Sequence, residues 1–278
     1  MFYGNTMMNI NQLWKYKLTI NLINMSTKNK TALVTGGSRG LGRNAAIALA
    51  KKGIDVVITY NTNKEAADKV VAEIHAIGQN AYAFQLDTSN ISLFDNFITQ
   101  VTEQLKEKTG STNFDFLINN AGTALYMPIT DVKEEQMDAL YNIHYKGVFF
   151  LTQKALPYLN DGGGIVNISS GLTRITMPGS SVYGSIKTAV ESLTRYMAKE
   201  LGSRKIRVNV VAPGAIETDF GGGRTRDNKE INAHIASLTA LGRVGLPDDI
   251  GGVVAFLCTE DAYWINGQRI EVSGGQSI

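Results

Sequence analysis

Cysteine is nearly absent from this chain of 278 residues. The single cysteine, Cys258, follows an apolar run, so the sequence excludes a disulfide framework and is compatible with a reducing compartment. We interpret Cys258 as a small buried apolar residue rather than as a reactive thiol. We expect a cytoplasmic protein.

Histidine and net charge are also scarce. The three histidines, His75, His144 and His234, have no cysteine or carboxylate at metal-ligand spacing, so we predict no metal site. A net charge of only +2 gives no reason to expect a nucleic-acid or anionic-membrane partner. With 44% apolar and 19% charged residues, the composition is that of an ordinary globular protein.

The beginning of the chain differs from the rest. Residues 1–23 lack a long apolar run, because Trp14 to Lys17 interrupts them, so they form neither a transmembrane span nor a good secretory signal. Regular structure is predicted only after Met25. We interpret residues 1–27 as a disordered leader or an upstream-start extension, with an added oligomer contact as the alternative. Residues 28–278 form one predicted domain.

Short β-branched runs alternate with helical stretches along that domain, a pattern typical of βαβ units and a parallel sheet. The strand candidates are near-continuous apolar runs, as expected of strands buried on both faces. Strands are predicted over residues 31–35, 55–60, 81–86, 114–118, 164–169, 206–211 and 268–272. Helices are predicted over residues 41–52, 64–77, 91–108, 133–159 and 182–201. Right-handed crossovers then predict a single-domain, doubly wound α/β fold.

Residues 217–243 break this alternation. They hold mixed charges, the run Gly221-Gly222-Gly223 and only a short helical stretch. Long connections of this kind in compact domains are often functional, so we predict a mobile lid over a substrate.

A glycine-rich turn joins the first strand to the first helix. Glycines there let the backbone turn tightly and approach a pyrophosphate, and the helix N-terminus supplies free N–H groups and a positive dipole end. A glycine cluster alone could be a mere tight turn, but the preceding strand and the following helix favour nucleotide binding. The predicted contacts in this turn are Gly36, Ser38, Arg39, Gly40, Leu41 and Gly42.

Three motifs occur together in a familiar order. They are G-xxx-G-x-G at residues 36–42, Asn119-Asn120-Ala121-Gly122, and Tyr183-xxx-Lys187. From about residue 31 to 275 the chain resembles a classical short-chain dehydrogenase/reductase, and most closely the 3-oxoacyl-(acyl-carrier-protein) reductase branch. The resemblance implies a Rossmann-like fold and hydride transfer between a nicotinamide and a carbonyl or alcohol.

Tyr183 and Lys187 lie four residues apart and therefore share one face of a helix. A nearby ammonium would stabilise the phenolate and lower the pKa of Tyr183, which makes the tyrosine a better acid/base. Such a pair is common on any helix, but Ser170 lies thirteen residues before Tyr183, the interval of the family. Its hydroxyl would stabilise charge on the substrate oxygen. We interpret the neighbouring Ser169 as structural, because side chains alternate along a strand.

One position departs from the family pattern. The family has an asparagine about three residues before the glycine that Gly147 matches, and this chain has His144 there. Asn142 is displaced by roughly 200° around the helix. In the family, that asparagine holds a water that relays protons to the catalytic lysine, here Lys187. One hypothesis is that the His144 ring takes over the contact with this relay water and adds a titration near ~6.5 to the rate profile. The alternative is a packed helix histidine.

The end of the second strand decides which nicotinamide is bound. An acid there would bind the ribose 2′-hydroxyl of NAD, but this chain has Tyr60 and Asn61. Arg39 could clamp a 2′-phosphate, although it could also be a solvated surface arginine. We therefore predict NADP(H) rather than NAD(H). Asp87 and Thr88 resemble the adenine-contacting pair of the family, while Asp87 could instead cap the next helix.

The remaining expectations come from the resemblance. Ile216 would offer its backbone to the carboxamide and Thr218 its hydroxyl, although Pro213-Gly214 could be only a turn. Lys187 would reach the nicotinamide ribose. The further contacts implied are Asn120, Ala121, Gly122, Pro213, Gly214 and Tyr183.

Three functions compete at this point. The first is an NADP(H)-dependent reductase of a small-molecule carbonyl, such as a 3-oxoacyl thioester. The others are an NAD-dependent alcohol or sugar dehydrogenase and a non-catalytic dinucleotide sensor. The resemblance also implies a homo-oligomer, a tetramer or dimer, built through the helices at 133–159 and 182–201.

Overall fold

One parallel sheet organises the chain. The computed structural model describes residues 29–278, and the predicted leader at 1–27 lies outside the described residues. Seven strands pair in the order β3-β2-β1-β4-β5-β6-β7, and every pairing is parallel. Their bounds are β1 Thr31–Val34, β2 Asp55–Tyr60, β3 Ala81–Gln85, β4 Phe114–Asn119, β5 Leu159–Ile168, β6 Arg207–Pro213 and β7 Arg269–Val272. The predicted doubly wound, Rossmann-like fold is confirmed.

Helices cover both faces of this sheet. The α-helices are α1 Gly40–Lys51, α2 Lys64–Ile77, α3 Phe94–Thr109, α4 Glu134–Tyr141, α5 Gly147–Ala155, α6 Ser181–Glu200, α7 Arg224–Asp227, α8 Lys229–Ser237 and α9 Asp248–Leu257. One apolar core packs α1, α2 and α9 against the sheet, and a second packs α3, α5 and α6 against the other face. This sandwich explains why β1 and β6 are buried along their whole length.

The helix predicted over residues 133–159 is interrupted. A π-helical turn, Asn142–Lys146, separates α4 from α5, and α5 ends at Ala155, before a single 3₁₀ turn. Pro157 explains that end, because its ring and its missing N–H prevent the helix from continuing. Leu159 therefore already belongs to β5, where it pairs with Phe114 ahead of a register shift. The predicted start of the fifth strand at residue 164 is therefore wrong by five residues, and the remaining predicted bounds agree to within about three residues.

The sheet order fixes where a ligand binds. The connections reverse direction between β1 and β4, so a crevice forms outside their carboxyl ends. The glycine turn after β1 and Asn120 after β4 flank that crevice. Within residues 29–278, no helix combines the length and the apolar character that a membrane crossing requires.

Candidate active site

The glycine turn after β1 needs glycine at several of its positions. Gly36 and Gly40 have φ of +63° and +53°, in the left-handed region. A Cβ at Gly36 would lie 3.0 Å from the Cα of Ala121, and one at Gly42 would collide with the carbonyl oxygen of Gly36. Gly37, which the sequence did not single out, is equally constrained, because its Cβ would lie 2.7 Å from the Ile58 side chain.

Hydrogen bonds between β1 and β4 hold the turn in place. The Thr35 hydroxyl accepts from the backbone N–H groups of Asn120, at 2.9 Å, and Ala121, at 3.0 Å. The Asn120 amide donates back to the Thr35 carbonyl at 2.9 Å. Asn120 and Ala121 therefore brace the glycine turn from the end of β4.

The N-terminus of α1 is suited to an anion. No side chain caps this helix, and its first turn carries no acidic residue. Its free N–H groups and dipole therefore face the crevice with no competing negative charge. Thr218 reaches the same place, since a Cβ at Gly40 would lie 3.8 Å from the Thr218 side chain. The N-terminus of α1 and Thr218 therefore offer hydrogen-bond donors that suit the pyrophosphate of a dinucleotide.

Two arginines near the end of β2 differ in their partners. Arg43 on α1 pairs with Glu73 of α2 at 2.6 Å. Arg39 is exposed and forms no ion pair with a carboxylate in the described part of the chain. Asn61, the other residue predicted to lie near the adenosine ribose, is exposed and accepts a hydrogen bond through its carbonyl from Gln85 at 2.8 Å.

Asp87 and Thr88 follow β3, as predicted. The Asp87 carboxylate accepts from the Ser89 N–H at 2.9 Å and from its hydroxyl at 2.7 Å. The alternative that Asp87 caps the next helix is wrong, because Asn90 caps it by accepting from the Ser92 N–H. Thr88 is buried, and its carbonyl lies so close to Gly147 that a Cβ there would collide with it.

Ser170, Tyr183 and Lys187 meet at the carboxyl end of β5. Tyr183 and Lys187 lie on the buried face of α6 and are 8% and 5% exposed. The Ser170 hydroxyl is close enough to the Tyr183 phenol to lower the pKa of that phenol. The Lys187 ammonium lies 5.8 Å from the Tyr183 ring centre and donates to the Ile168 carbonyl at 2.7 Å.

Burial controls the protonation of this trio. It raises the pKa of the Tyr183 phenol above its ordinary value, and it lowers the pKa of the Lys187 ammonium to about 7. In the protein by itself, burial outweighs any lowering of the Tyr183 pKa by Lys187. An amine that is only partly protonated at neutral pH opposes the burial penalty weakly. The phenol stays protonated, which is the form that an acid needs.

His144 packs directly against the trio. It is 1% exposed, and its ring meets the Tyr183 ring edge-on, with centres 5.3 Å apart. Its Nε2 lies 2.7 Å from the Thr123 carbonyl oxygen and 3.3 Å from the Thr123 nitrogen. The shorter contact assigns the proton to Nε2, which leaves Nδ1 as an acceptor without a partner in residues 29–278. Gly122 makes this packing possible, because a Cβ there would lie 2.6 Å from the ring.

The expected titration of His144 near ~6.5 is wrong. Burial, followed by the charge of Lys187, holds the pKa of the imidazole well below its ordinary value. The ring is therefore neutral at physiological pH.

The loop after β6 is anchored by the C-terminal segment and by Gly245. Gly214 donates to the Val272 carbonyl at 3.0 Å, and Ala215 donates to the Gln276 side chain at 2.9 Å. Gly245 donates to the Ala215 carbonyl and accepts from the Glu217 N–H, as in a parallel bridge centred on Ile216. The N–H and C=O of Ile216 itself therefore point away from Gly245. Pro213-Gly214 is thus part of an anchored loop whose free backbone groups could meet a carboxamide.

Two aromatic residues near Tyr183 were not predicted. The Phe220 ring lies 5.9 Å from the Tyr183 ring, and Tyr126 lies beneath the backbone of the predicted lid, with its ring 2.8 Å from a Cβ built at Gly221. The Arg224 guanidinium lies 5.7 Å from the Tyr126 ring. The position of Phe220, next to three glycines, was a usable signal, whereas nothing in the sequence around Tyr126 distinguishes it from a core residue.

A glycine cradle for a pyrophosphate therefore lies beside a buried tyrosine, serine and lysine at the same edge of a parallel sheet. Within residues 29–278, no cluster of side chains offers a metal site. The fold and the site define an oxidoreductase that acts on a carbonyl or alcohol with NAD(P).

Comparisons with known proteins give the family. A family model described as enoyl-(acyl carrier protein) reductase matches residues 36–277. An uncharacterized oxidoreductase of Methylorubrum extorquens is 40% identical over 248 residues, which are 89% of this chain and 98% of the relative. The versicolorin reductase of Emericella nidulans is 36% identical over 262 residues, which are 91% and 97% of the two chains.

Solved structures agree with this assignment. The angucycline C-6 ketoreductase LanV with bound NADP has a TM-score of 0.85 and 38% identity, covering 89% of this chain and 95% of LanV. A second LanV structure, which holds NADP and rabelomycin, has a TM-score of 0.81 and 39% identity, covering 89% and 96%. The chain belongs to the short-chain dehydrogenase/reductase family.

Proposed function

We propose that this protein is an NADP(H)-dependent ketoreductase in which Tyr183 is the general acid. The observation that carries the proposal is the buried trio of Ser170, Tyr183 and Lys187 beside the glycine turn. At neutral pH the Tyr183 phenol carries its proton, which is the form that a general acid needs.

The chain's own residues have distinct roles in this mechanism. Bound NADPH would supply the hydride. The Ser170 hydroxyl would donate to the substrate oxygen and stabilise the negative charge that develops there. Tyr183 would protonate that oxygen, and Lys187, fixed by its hydrogen bond to the Ile168 carbonyl, would supply positive charge beneath the phenol ring.

A preference for NADP(H) is supported at the end of β2. Tyr60 and Asn61 leave that position without an acid to bind a 2′-hydroxyl. Arg39 is exposed and free of a carboxylate partner in residues 29–278, unlike Arg43, so its guanidinium is available to a 2′-phosphate. LanV, which resembles this chain, binds NADP.

We further propose that the substrate is a polycyclic aromatic ketone rather than a 3-oxoacyl thioester. The rings of Tyr126 and Phe220 border the catalytic phenol and offer flat apolar surfaces for stacking. The names of the relatives point the same way, since versicolorin reductase and the LanV complex with rabelomycin both concern aromatic polyketides. The 3-oxoacyl thioester remains the second candidate because of the branch that the motifs resemble.

Spectrophotometric oxidation of NADPH tests both parts. Purified protein is assayed against hydroxynaphthalenones, angucyclinone ketones, simple ketones and 3-oxoacyl thioesters, with NADPH and with NADH. We expect turnover of the aromatic ketones with NADPH, and a loss of at least about 10³-fold in Tyr183→Phe. Turnover of alcohols with NAD alone would favour the dehydrogenase alternative, and unchanged turnover in Tyr183→Phe would refute the mechanism.

A further inference from the structure

A largely buried carboxylate contacts the residues that flank Ser170. Glu191 is on α6, two turns beyond Tyr183, and its side chain is 11% exposed. One carboxylate oxygen of Glu191 accepts from the Ser169 hydroxyl at 2.7 Å, the Thr173 hydroxyl at 2.8 Å and Nε of Arg269 at 2.8 Å. Ser169 and Thr173 lie on either side of Ser170 in the sequence. Hydrogen bonds to this one oxygen therefore fix the segment that carries the Ser170 hydroxyl.

Arg269, the first residue of β7, makes further hydrogen bonds to the same segment. Its Nη1 donates to Glu271 at 2.9 Å, while its Nη2 lies 3.1 Å from the Thr173 hydroxyl and 3.4 Å from the carbonyl oxygen of Ser170. A guanidinium presents its donors in a rigid planar fork. Contacts with Glu191 and with the Ser170 carbonyl therefore fix the two relative to each other.

The same network of hydrogen bonds extends to the loop after β6. Glu271 accepts two hydrogen bonds from Arg174, at 2.9 and 2.6 Å. Arg174 also donates to the Gln276 carbonyl at 2.7 Å, and the Gln276 side chain accepts from Ala215 at 2.9 Å. One network of charged side chains thus joins the segment around Ser170 to the loop after β6. Its members are Glu191, Arg269, Glu271 and Arg174.

We propose that Glu191 and Arg269 are positioning residues for the reduction, which act through Ser170. This inference rests on the proposed function. The Ser170 hydroxyl must meet the substrate oxygen as charge develops, and such a donor is effective only when its orientation is fixed beforehand. Glu191 accepts from the side chains of Ser169 and Thr173, and Arg269 reaches the Ser170 carbonyl, so the two residues would affect the transition state only through the placement of Ser170.

The test compares Glu191→Gln with the wild-type protein in steady-state and single-turnover reduction. Glutamine keeps the shape but not the charge of the carboxylate. We expect kcat to fall about tenfold while the KM for NADPH stays within about twofold, because the cofactor cradle is untouched. Glu191→Asp should recover part of the rate. Glu107→Gln is the matched control: it removes a surface ion pair with Lys108 at 2.6 Å, near the C-terminal end of α3, and should leave kcat unchanged.

A double-variant cycle separates positioning from general destabilisation. In a Ser170→Ala background, Glu191→Gln should cause no further loss of single-turnover rate, because the hydroxyl that it orients is gone. Losses that multiply in the double variant, or a kcat of Glu191→Gln equal to wild type, would overturn the proposal. If Glu191→Gln does not fold, the same cycle with Arg269→Lys decides. Activity that survives Tyr183→Phe would instead refute the proposed function, so the two failures are distinguishable.

Discussion

Lys187 is a residue of the site whose ionisation changes near neutral pH. Burial lowers its pKa to about 7, so its ammonium is present below that pH and is lost above it. We expect kcat/KM for reduction to decrease as pH rises from 7 to 9, because this ratio reports ionisations of the free enzyme. A pH series at limiting ketone measures it. Lys187→Arg keeps its charge and should have a flatter profile, whereas a flat wild-type profile would contradict the assignment.

Arg39 carries the predicted choice of cofactor. Its replacement by glutamine removes the charged donor for a 2′-phosphate, so we expect the KM for NADPH to rise about tenfold or more, since one lost charge-assisted contact contributes roughly 1.5–3 kcal/mol. The KM for NADH should change little. Arg43→Gln is the matched control, because Arg43 is paired with Glu73. An equal rise for both cofactors in Arg39→Gln would contradict a phosphate contact.

His144 provides an acceptor where the family pattern has asparagine. We propose that Nδ1, which has no partner among the described residues, holds the relay water that serves Lys187. His144→Phe keeps a ring in the buried site but removes both nitrogens, so we expect kcat to fall about tenfold, a typical effect of a lost proton-transfer partner. His144→Asn should recover part of that loss. If the Phe variant keeps the wild-type kcat and pH profile, the ring serves only for packing.

Spacing predicted the members of the site better than it predicted their protonation. The spacing of Ser170, Tyr183 and Lys187 along the chain already pointed to one cluster. Ser170 comes just after a predictable strand, and the other two residues lie on a predictable helix. The pKa directions of Lys187 and His144 could not be read in the same way. They depend on how deeply the folded chain buries each group, and that depth is set by residues distant in sequence, such as Gly122 and Phe220.

The predicted lid at residues 217–243 has an unusual run of backbone geometry. Gly221, Gly222 and Gly223 all have positive φ, between 63° and 75°. A Cβ at Gly222 meets open space, so Gly222→Ala would impose only the backbone strain. We expect it to lower the free energy of unfolding by about 1 kcal/mol, the cost of left-handed backbone for a residue with a Cβ. Urea denaturation measures the change.

Gly252 in α9 is the matched control for that substitution. It also has open space around its Cβ position, but it lies inside a helix. Gly252→Ala should therefore raise the free energy of unfolding by about 0.5–1 kcal/mol, because alanine is the better helix former. A destabilised Gly252→Ala together with an unaffected Gly222→Ala would contradict this account of the lid. Whether the lid moves during turnover stays a prediction.

Element boundaries show where sequence patterns fail. The strands were recognisable because both faces of the sheet are covered, which makes each strand a continuous apolar run. The interrupted helix at residues 133–159 was not, because the π-helical turn at Asn142–Lys146 accompanies the close approach of Gly147 to the Thr88 carbonyl. Such a tertiary contact has no local signature.

At the scale of the whole molecule, the family resemblance predicts a homo-oligomer. Large apolar side chains are exposed on the helices expected to form its contacts: Tyr141 by 43%, Phe149 by 37% and Tyr196 by 67%. Light scattering after size-exclusion chromatography should give two or four times the mass of one chain. Tyr196→Glu, on the solvent-exposed face of α6, should lower that mass, because a charge in a contact between copies is costly to desolvate. A wild-type monomer would contradict the prediction.

The central claim is that a cofactor hydride reaches a carbonyl carbon while Tyr183 supplies the proton. Its most direct test is single-turnover reduction of an aromatic ketone with NADPH deuterated at the transferring position of the ring. We predict that deuterium appears on the carbinol carbon of the product in the wild-type protein, and that Tyr183→Phe slows this transfer by at least about 10³-fold. Unlabelled product, or equal rates of transfer in both proteins, would contradict the account.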